Sequence, residues 1–172
     1  MCNLAICNPD SCILIARNKG DARLLHWWGL KGCPMNRPIV RNELLLARPC
    51  APATMMDLSV ARDLMDTLDA HVDDCVGLAA NMIGVPKRII CFSDQEQGKN
   101  RLMFNPVITK RAGAYEAAEG CLSLAGKRTT ERYREITVEY QDETFAKRTE
   151  SFVGYTAQII QHEVDHCNGI VI

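Results

Sequence analysis

The sequence predicts an α+β fold in which antiparallel or mixed β-sheets pack around a helix near the C-terminal end. Three observations carry this reading. Apolar residues recur at helical intervals between about residues 54 and 71, strand-like runs cluster between 88 and 140, and residues 152–167 return to a helical pattern. Helices and strands are segregated along the chain, which argues against an alternating βαβ arrangement.

Taken in order, Pro52-Ala53-Thr54 leads into the first helix, with Thr54 and Asp57 spaced as a capping box. Ala61, Leu64, Met65, Leu68 and Val72 then line one face. His71, at the end of that helix, reads as a favourable cation near the C-terminal dipole. Strands are expected over 88–92, over 101–108 with Asn105-Pro106 as a break, and over 136–140, where Ile136, Val138 and Tyr140 alternate with polar residues. The last helix spans 152–167, and Gly169 supplies its stop.

A chain of 172 residues suits one domain with a substantial core. Residues 1–34 differ in character, with four cysteines, the pair Trp27-Trp28 and no sustained period. They read as an N-terminal extension, disordered or an artefact of the assigned start, which leaves 35–172 as the working domain. Twenty basic against twenty-one acidic residues leave a charge of -1, which argues against direct nucleic-acid binding through phosphate attraction. No apolar run is long enough to span a bilayer. The cysteines are nine, at 2, 7, 12, 33, 50, 75, 91, 121 and 167, and no secretory signal precedes them. That combination predicts a reducing, cytoplasmic compartment in which most thiols are buried small hydrophobes.

Within the last helix, Gln161-His162-Glu163-Val164-Asp165-His166 contains His-Glu-x-x-His. Residues four apart on a helix lie one above the other, so His162 and His166 could share one divalent ion. Glu163 sits about 100° round the helix from His162, where its carboxylate could take a proton from an activated water without ligating the ion. A pair of surface histidines with incidental acids is the bland alternative. A tetrahedral catalytic site needs a third protein ligand. Only six residues follow His166, and Cys167, adjacent to it, points about 100° away, so the third ligand must come from upstream. The candidates are His26, His71, the acids and the remaining cysteines. Cys121 stands out within Glu119-Gly120-Cys121-Leu122-Ser123, where Gly120 permits a close backbone approach and Leu122 could offer an N–H to a developing oxyanion. A buried structural role for Cys121 stays open on these grounds alone.

Three segments, Val76-Gly77-Leu78-Ala79-Ala80, Glu119-Gly120-Cys121-Leu122-Ser123 and Gln161-His162-Glu163-Val164-Asp165-His166, together resemble the ordered motifs of the peptide deformylases. The resemblance covers about residues 35–172. It implies Cys121, His162 and His166 as ligands of one divalent metal, Fe2+ first, with Zn2+ or Ni2+ as alternatives, and Glu163 as the acid/base residue. It further implies Leu122 N–H as an oxyanion donor, with Val76, Gly77, Gly120 and the position of Met82 contacting substrate. Arg128 and Ser123 are supporting candidates. The activity implied is removal of the formyl group from the N-terminal formylmethionine of nascent polypeptides, near the ribosomal exit tunnel.

The chain departs from the family in the first motif, where Cys75 stands for a glycine and Met82 for a glutamine that donates to the formyl oxygen. A thioether cannot donate. Neighbouring Asn81 is the nearest substitute donor, although on an extended segment it would face the other way. The chain also ends at Ile172, where some members carry a C-terminal helix. Alternatives to the deformylase reading are an amidohydrolase acting on another N-acylated substrate and a non-catalytic metal- or peptide-binding relative. A conventional His-Glu-x-x-His endopeptidase is disfavoured by the missing downstream ligand.

Overall fold

The apolar stripe after Thr54 becomes a short 3₁₀ turn, Met55–Asp57, that runs into α2, Leu58–Ala70; a one-turn α1, Glu43–Leu46, precedes it. Asp57 accepts from the Thr54 N–H at 2.8 Å and from its hydroxyl at 3.0 Å, which ties down the turn that opens α2. His71 caps the helix at its C-terminal end, with its N–H bonded to the Leu68 carbonyl at 3.0 Å. This computed structural model describes residues 34–172, so the expected N-terminal extension lies outside the described residues but for its last position.

The strands form one antiparallel meander in the order β1-β2-β3-β4-β5. These are β1 (Gly77–Ala79), β2 (Ile89–Asp94), β3 (Lys99–Gly120), β4 (Lys127–Gln141) and β5 (Lys147–Val153). A second 3₁₀ turn, Ala80–Ile83, follows β1, and α3 (Gly154–Cys167) closes the fold. Both α2 and α3 pack against β2. Ile89, Ile90, Cys91 and Phe92 are therefore all buried, which explains why that strand reads as a continuous apolar run. Leu64 and Leu68 from α2, Met103 and Phe104 from β3, Ile136 and Val138 from β4 and Ile160 from α3 complete the core. Burying each such side chain contributes roughly 1.5–3 kcal/mol.

Three expectations change. The strand expected over 101–108 runs from Lys99 to Gly120, and its break at Asn105-Pro106 is a register shift between Phe104 and Val107, followed by another between Ile108 and Lys110. Asn105 takes a left-handed φ of 53°, and its side-chain amide holds Ala53 at 2.7 and 2.9 Å and Gln141 at 2.7 Å. This is a β-bulge stabilised from the side. Phe152 belongs to β5 and not to α3, and its ring packs edge-on against Phe92 at 6.0 Å. The residues of β4 before Ile136 pair with β3 back to Lys127↔Gly120 and so carry the sheet to the second motif.

Gly169 ends α3 with φ 74°, and a Cβ there would lie 2.5 Å from the Ala47 carbonyl oxygen. Backbone cannot move aside as a side chain can. Gly169→Ala is expected to lower the unfolding free energy by about 1–3 kcal/mol, read from the urea midpoint, because it combines left-handed strain with that contact.

Candidate metal centre

α3 carries three groups towards the sheet, and two pairs of hydrogen bonds set its rotation. Gln161 accepts from the Tyr133 N–H at 3.0 Å and donates to the Tyr133 carbonyl at 2.9 Å, clamping the helix to β4. Behind it, Asn81 donates to the His166 carbonyl at 2.9 Å and to the Leu46 carbonyl at 3.4 Å. With the helix so fixed, His162 and His166 present their Nε2 atoms 3.2 Å apart. Cys121, at the end of β3, brings its Sγ to 3.3 Å from His166 Nε2.

These three donors all lie within 4.8 Å of one another. Ligand bonds of about 2.0–2.3 Å at tetrahedral angles place neighbouring donors roughly 3.3–3.6 Å apart, so the cluster fits one small divalent ion. Thiolate and imidazole suit several first-row metals.

A buried carboxylate supports the cluster. Glu119 accepts from Arg132 Nε at 2.9 Å and Gln158 Nε2 at 2.9 Å on one oxygen. Its other oxygen meets Arg132 Nη2 at 2.8 Å and His162 Nδ1 at 2.9 Å. Arg132 also reaches Asp165 of α3 at 2.6 Å. Burial alone would raise the Glu119 carboxyl, but the hydrogen bonds from His162 and Arg132 outweigh it and hold the group down at about 2. Glu119 therefore stays charged, keeps His162 Nδ1 protonated and leaves Nε2 free for the ion.

Burial disfavours the charged form of both imidazoles, with opposite outcomes. Cys121 and Glu119 beside His162 raise its imidazole to about 10 against burial, holding on Nε2 a proton that a bound cation would displace. Burial and the charges of His162 and Arg132 push His166 down to about 3.

Glu163 is 3 % exposed, and its Oε2 is buried with no protein partner. Desolvation raises its carboxyl to about 7, against the pull of His162. A carboxylate poised there suits proton transfer near neutrality. It lines a cleft of about 390 Å³ together with Cys75, Gly77, Met82, Cys121, Leu122 and His162; Val76 and Gly120 also form its walls. Gly77 is glycine for a steric reason, since a Cβ there would lie 2.7 Å from both Glu163 Oε1 and Ile159 Cγ2.

The remaining sequence candidates fall elsewhere. Asn81 lies on the 3₁₀ turn with its amide committed to the His166 and Leu46 carbonyls behind α3, so it is not the substitute donor that the sequence suggested. Arg128 binds the Val171 carbonyl at 3.2 Å and Glu43 at 3.3 Å, away from the donors; the arginine that serves the site is Arg132. Ser123 is buried with its hydroxyl unpartnered. The supporting roles of Arg132 and Gln158 carry no signal in the sequence, and even the sheet register sets Arg128, not Arg132, opposite Glu119.

Two outcomes are expected. Glu119→Gln keeps the shape but loses the charge opposite His162, and metal affinity should fall about 10–100-fold, measured by chelator competition. Gly77→Ala should reduce turnover about 10²-fold with metal content unchanged, since the added methyl displaces Glu163.

The family model described as polypeptide deformylase matches residues 37–172. A peptide deformylase of Clostridium beijerinckii is 51% identical over 139 residues, covering 80% of this chain and all 100% of the relative. One from Thermus thermophilus is 38% identical over 150 residues, or 78% of this chain and 75% of the relative. Among solved structures, a Thermus thermophilus peptide deformylase superposes with a TM-score of 0.70 at 35% identity, over 78% of this chain and 82% of that one. The Met-Ala-Ser-bound class I type b enzyme of Acinetobacter baumannii gives 0.72 at 27% identity, over 80% and 97%. A match across nearly all of the described residues, on the fold that builds this donor cluster, makes the chain a member of the peptide deformylase family.

Proposed function

We propose that this chain removes the formyl group from the N-terminal formylmethionine of nascent polypeptides, with residues 35–172 as the catalytic domain. The observation that carries the reading is the Cys121-His162-His166 donor set beside an unpartnered, buried Glu163, opening on one cleft. The family is metal-dependent, and Fe2+ is the proposed ion, with Zn2+ or Ni2+ as alternatives. When bound, a divalent ion supplies Lewis acidity and lowers the pKa of water held in the cleft.

The protein's own groups do the rest. Glu163 takes the proton from the attacking water and passes it to the amine that leaves the formyl carbon. Leu122 N–H is the proposed donor to the oxyanion, and the backbone at Val76, Gly77 and Gly120 orients the peptide. Met82 is buried, and its sulfur accepts from the Ala79 N–H at 3.5 Å, so it gives the oxyanion nothing. The substrates in this reading are formylated chains emerging near the ribosomal exit tunnel in the cytoplasm. Among the described residues no helix is long and apolar enough to cross a membrane.

Anaerobic, iron-loaded protein is expected to hydrolyse formyl-Met-Ala-Ser, with kcat/KM falling on the acid side of about pH 7 or below as Glu163 takes up a proton. Glu163→Ala should lose about 10²–10⁴-fold with the metal retained. Met82→Gln should gain up to about 10²-fold, by supplying the missing donor. Turnover from Met82→Gln but none from the unaltered chain would replace this reading with a binding relative or an amidohydrolase of another acyl group.

A further inference from the structure

We propose that Cys50 and Cys167 are a disulfide-forming pair, which reversibly fastens the segment before α2 to the C-terminal end of the metal-ligand helix. The Cys50 N–H donates to the Cys167 carbonyl at 2.9 Å. A single linear bond of that length leaves the two Cα atoms at most about 6.2 Å apart, within the reach of a disulfide, which spans about 4.4–6.8 Å. Cys50 turns its Sγ towards the end of α3, 3.9 Å from the His166 carbonyl, and both cysteines belong to the same buried cluster. Five free cysteines occur among the described residues. Cys75 donates to the Gly77 carbonyl at 2.8 Å and Cys91 to the Leu64 carbonyl at 3.6 Å, while Cys121 belongs to the donor cluster.

The pair is positioned to close without dismantling the site. Cys50 Sγ lies 3.9 Å from the His166 carbonyl, which also receives Asn81 Nδ2 at 2.9 Å and Gly169 N–H at 3.1 Å. Oxidation removes the weakest of those three donors and leaves the other two in place. Cys50 is 7% exposed and Cys167 0%, so a small oxidant meets Cys50 first. Hydrogen peroxide is such an oxidant. The Cys50 sulfur attacks one peroxide oxygen, the O–O bond breaks, and a sulfenic acid and one water form. The Cys167 sulfur then attacks the sulfenic sulfur, forming the S–S bond and expelling a second water. Two thiols lose two electrons and two protons, and peroxide is reduced to two waters. A dithiol regenerates both thiols by exchange, which suits a reducing compartment.

The test treats the full chain with one equivalent of hydrogen peroxide, alkylates it in denaturant with iodoacetamide, digests it without reductant and maps the peptides by mass. A peptide joining residues 50 and 167 is expected, lost on adding dithiothreitol and absent from Cys50→Ala. The melting temperature of the oxidised chain should fall when dithiothreitol is added. Recovery of both cysteines singly alkylated, their conversion to sulfinic or sulfonic acids, or a link from either to any other cysteine overturns the proposal. The mapping on the unaltered chain decides the matter even if Cys50→Ala fails to fold.

Discussion

The centre depends on one buried anion. Placing a carboxylate in the interior costs several kcal/mol unless its lone pairs are satisfied. Glu119 meets that condition with four hydrogen bonds, from Arg132 twice, Gln158 and His162. Each donor comes from a different structural decision. Arg132 needs the β3–β4 register, and Gln158 and His162 need α3 turned so that both face the sheet. Asp165, one turn beyond Gln161, takes the remaining Arg132 donor and anchors the same helix a second time. If any of these elements slips, an uncompensated charge is left inside. The ion pair therefore specifies the arrangement that holds His162 more than it adds net stability.

This dependence explains what can be read in the chain and what cannot. α2 and α3, the helix that carries both histidines, are legible, because 3.6-residue spacing is a local property. So is the pairing of His162 with His166, together with the stop at Gly169. Cys121 can be singled out from its glycine-flanked setting and the short tail after His166, but geometry is needed to bring its Sγ to 3.3 Å from an imidazole. The supporting arginine is not legible. The β3–β4 register runs unbroken from Lys110↔Thr137 to Gly120↔Lys127 and sets Arg128, not Arg132, directly opposite Glu119. Arg128 and Arg132 are equivalent by sequence. Both lie on the same face of β4, yet Arg132 reaches Glu119 while Arg128 goes to Glu43 and the Val171 carbonyl, a difference that alternation does not encode. β5 is concealed for a related reason. Lys147, Arg148 and Glu150 give it the charged character of an edge strand, which hides its pairing potential.

The first motif shows two uses of one short segment. Gly77 is constrained by the catalytic side, since its missing side chain is the space that Glu163 and Ile159 occupy. Asn81 is constrained by the structural side, because its amide holds the carbonyl of His166, itself a proposed ligand. The residues between them are fully buried, so the segment is core and cleft wall at once.

Met82 sits where these demands meet. A glutamine there would carry a buried amide with several hydrogen-bonding sites to satisfy whenever the cleft held no substrate. A methionine asks for nothing, fills an irregular space and accepts weakly from the Ala79 N–H. Methionine at this position therefore favours the resting fold, and on the deformylase reading it forgoes a donor that would act only when charge develops on substrate oxygen. Asn81 cannot compensate, because releasing its amide would leave the His166 carbonyl and α3 less firmly held. In the proposed reaction the stabilisation of that oxygen would fall on the backbone beside Cys121 and on a cation that Cys121, His162 and His166 would hold. The support that Glu119 gives His162 consequently bears on turnover as well as on metal affinity, since a donor set that drifts would weaken the strongest remaining counter-charge.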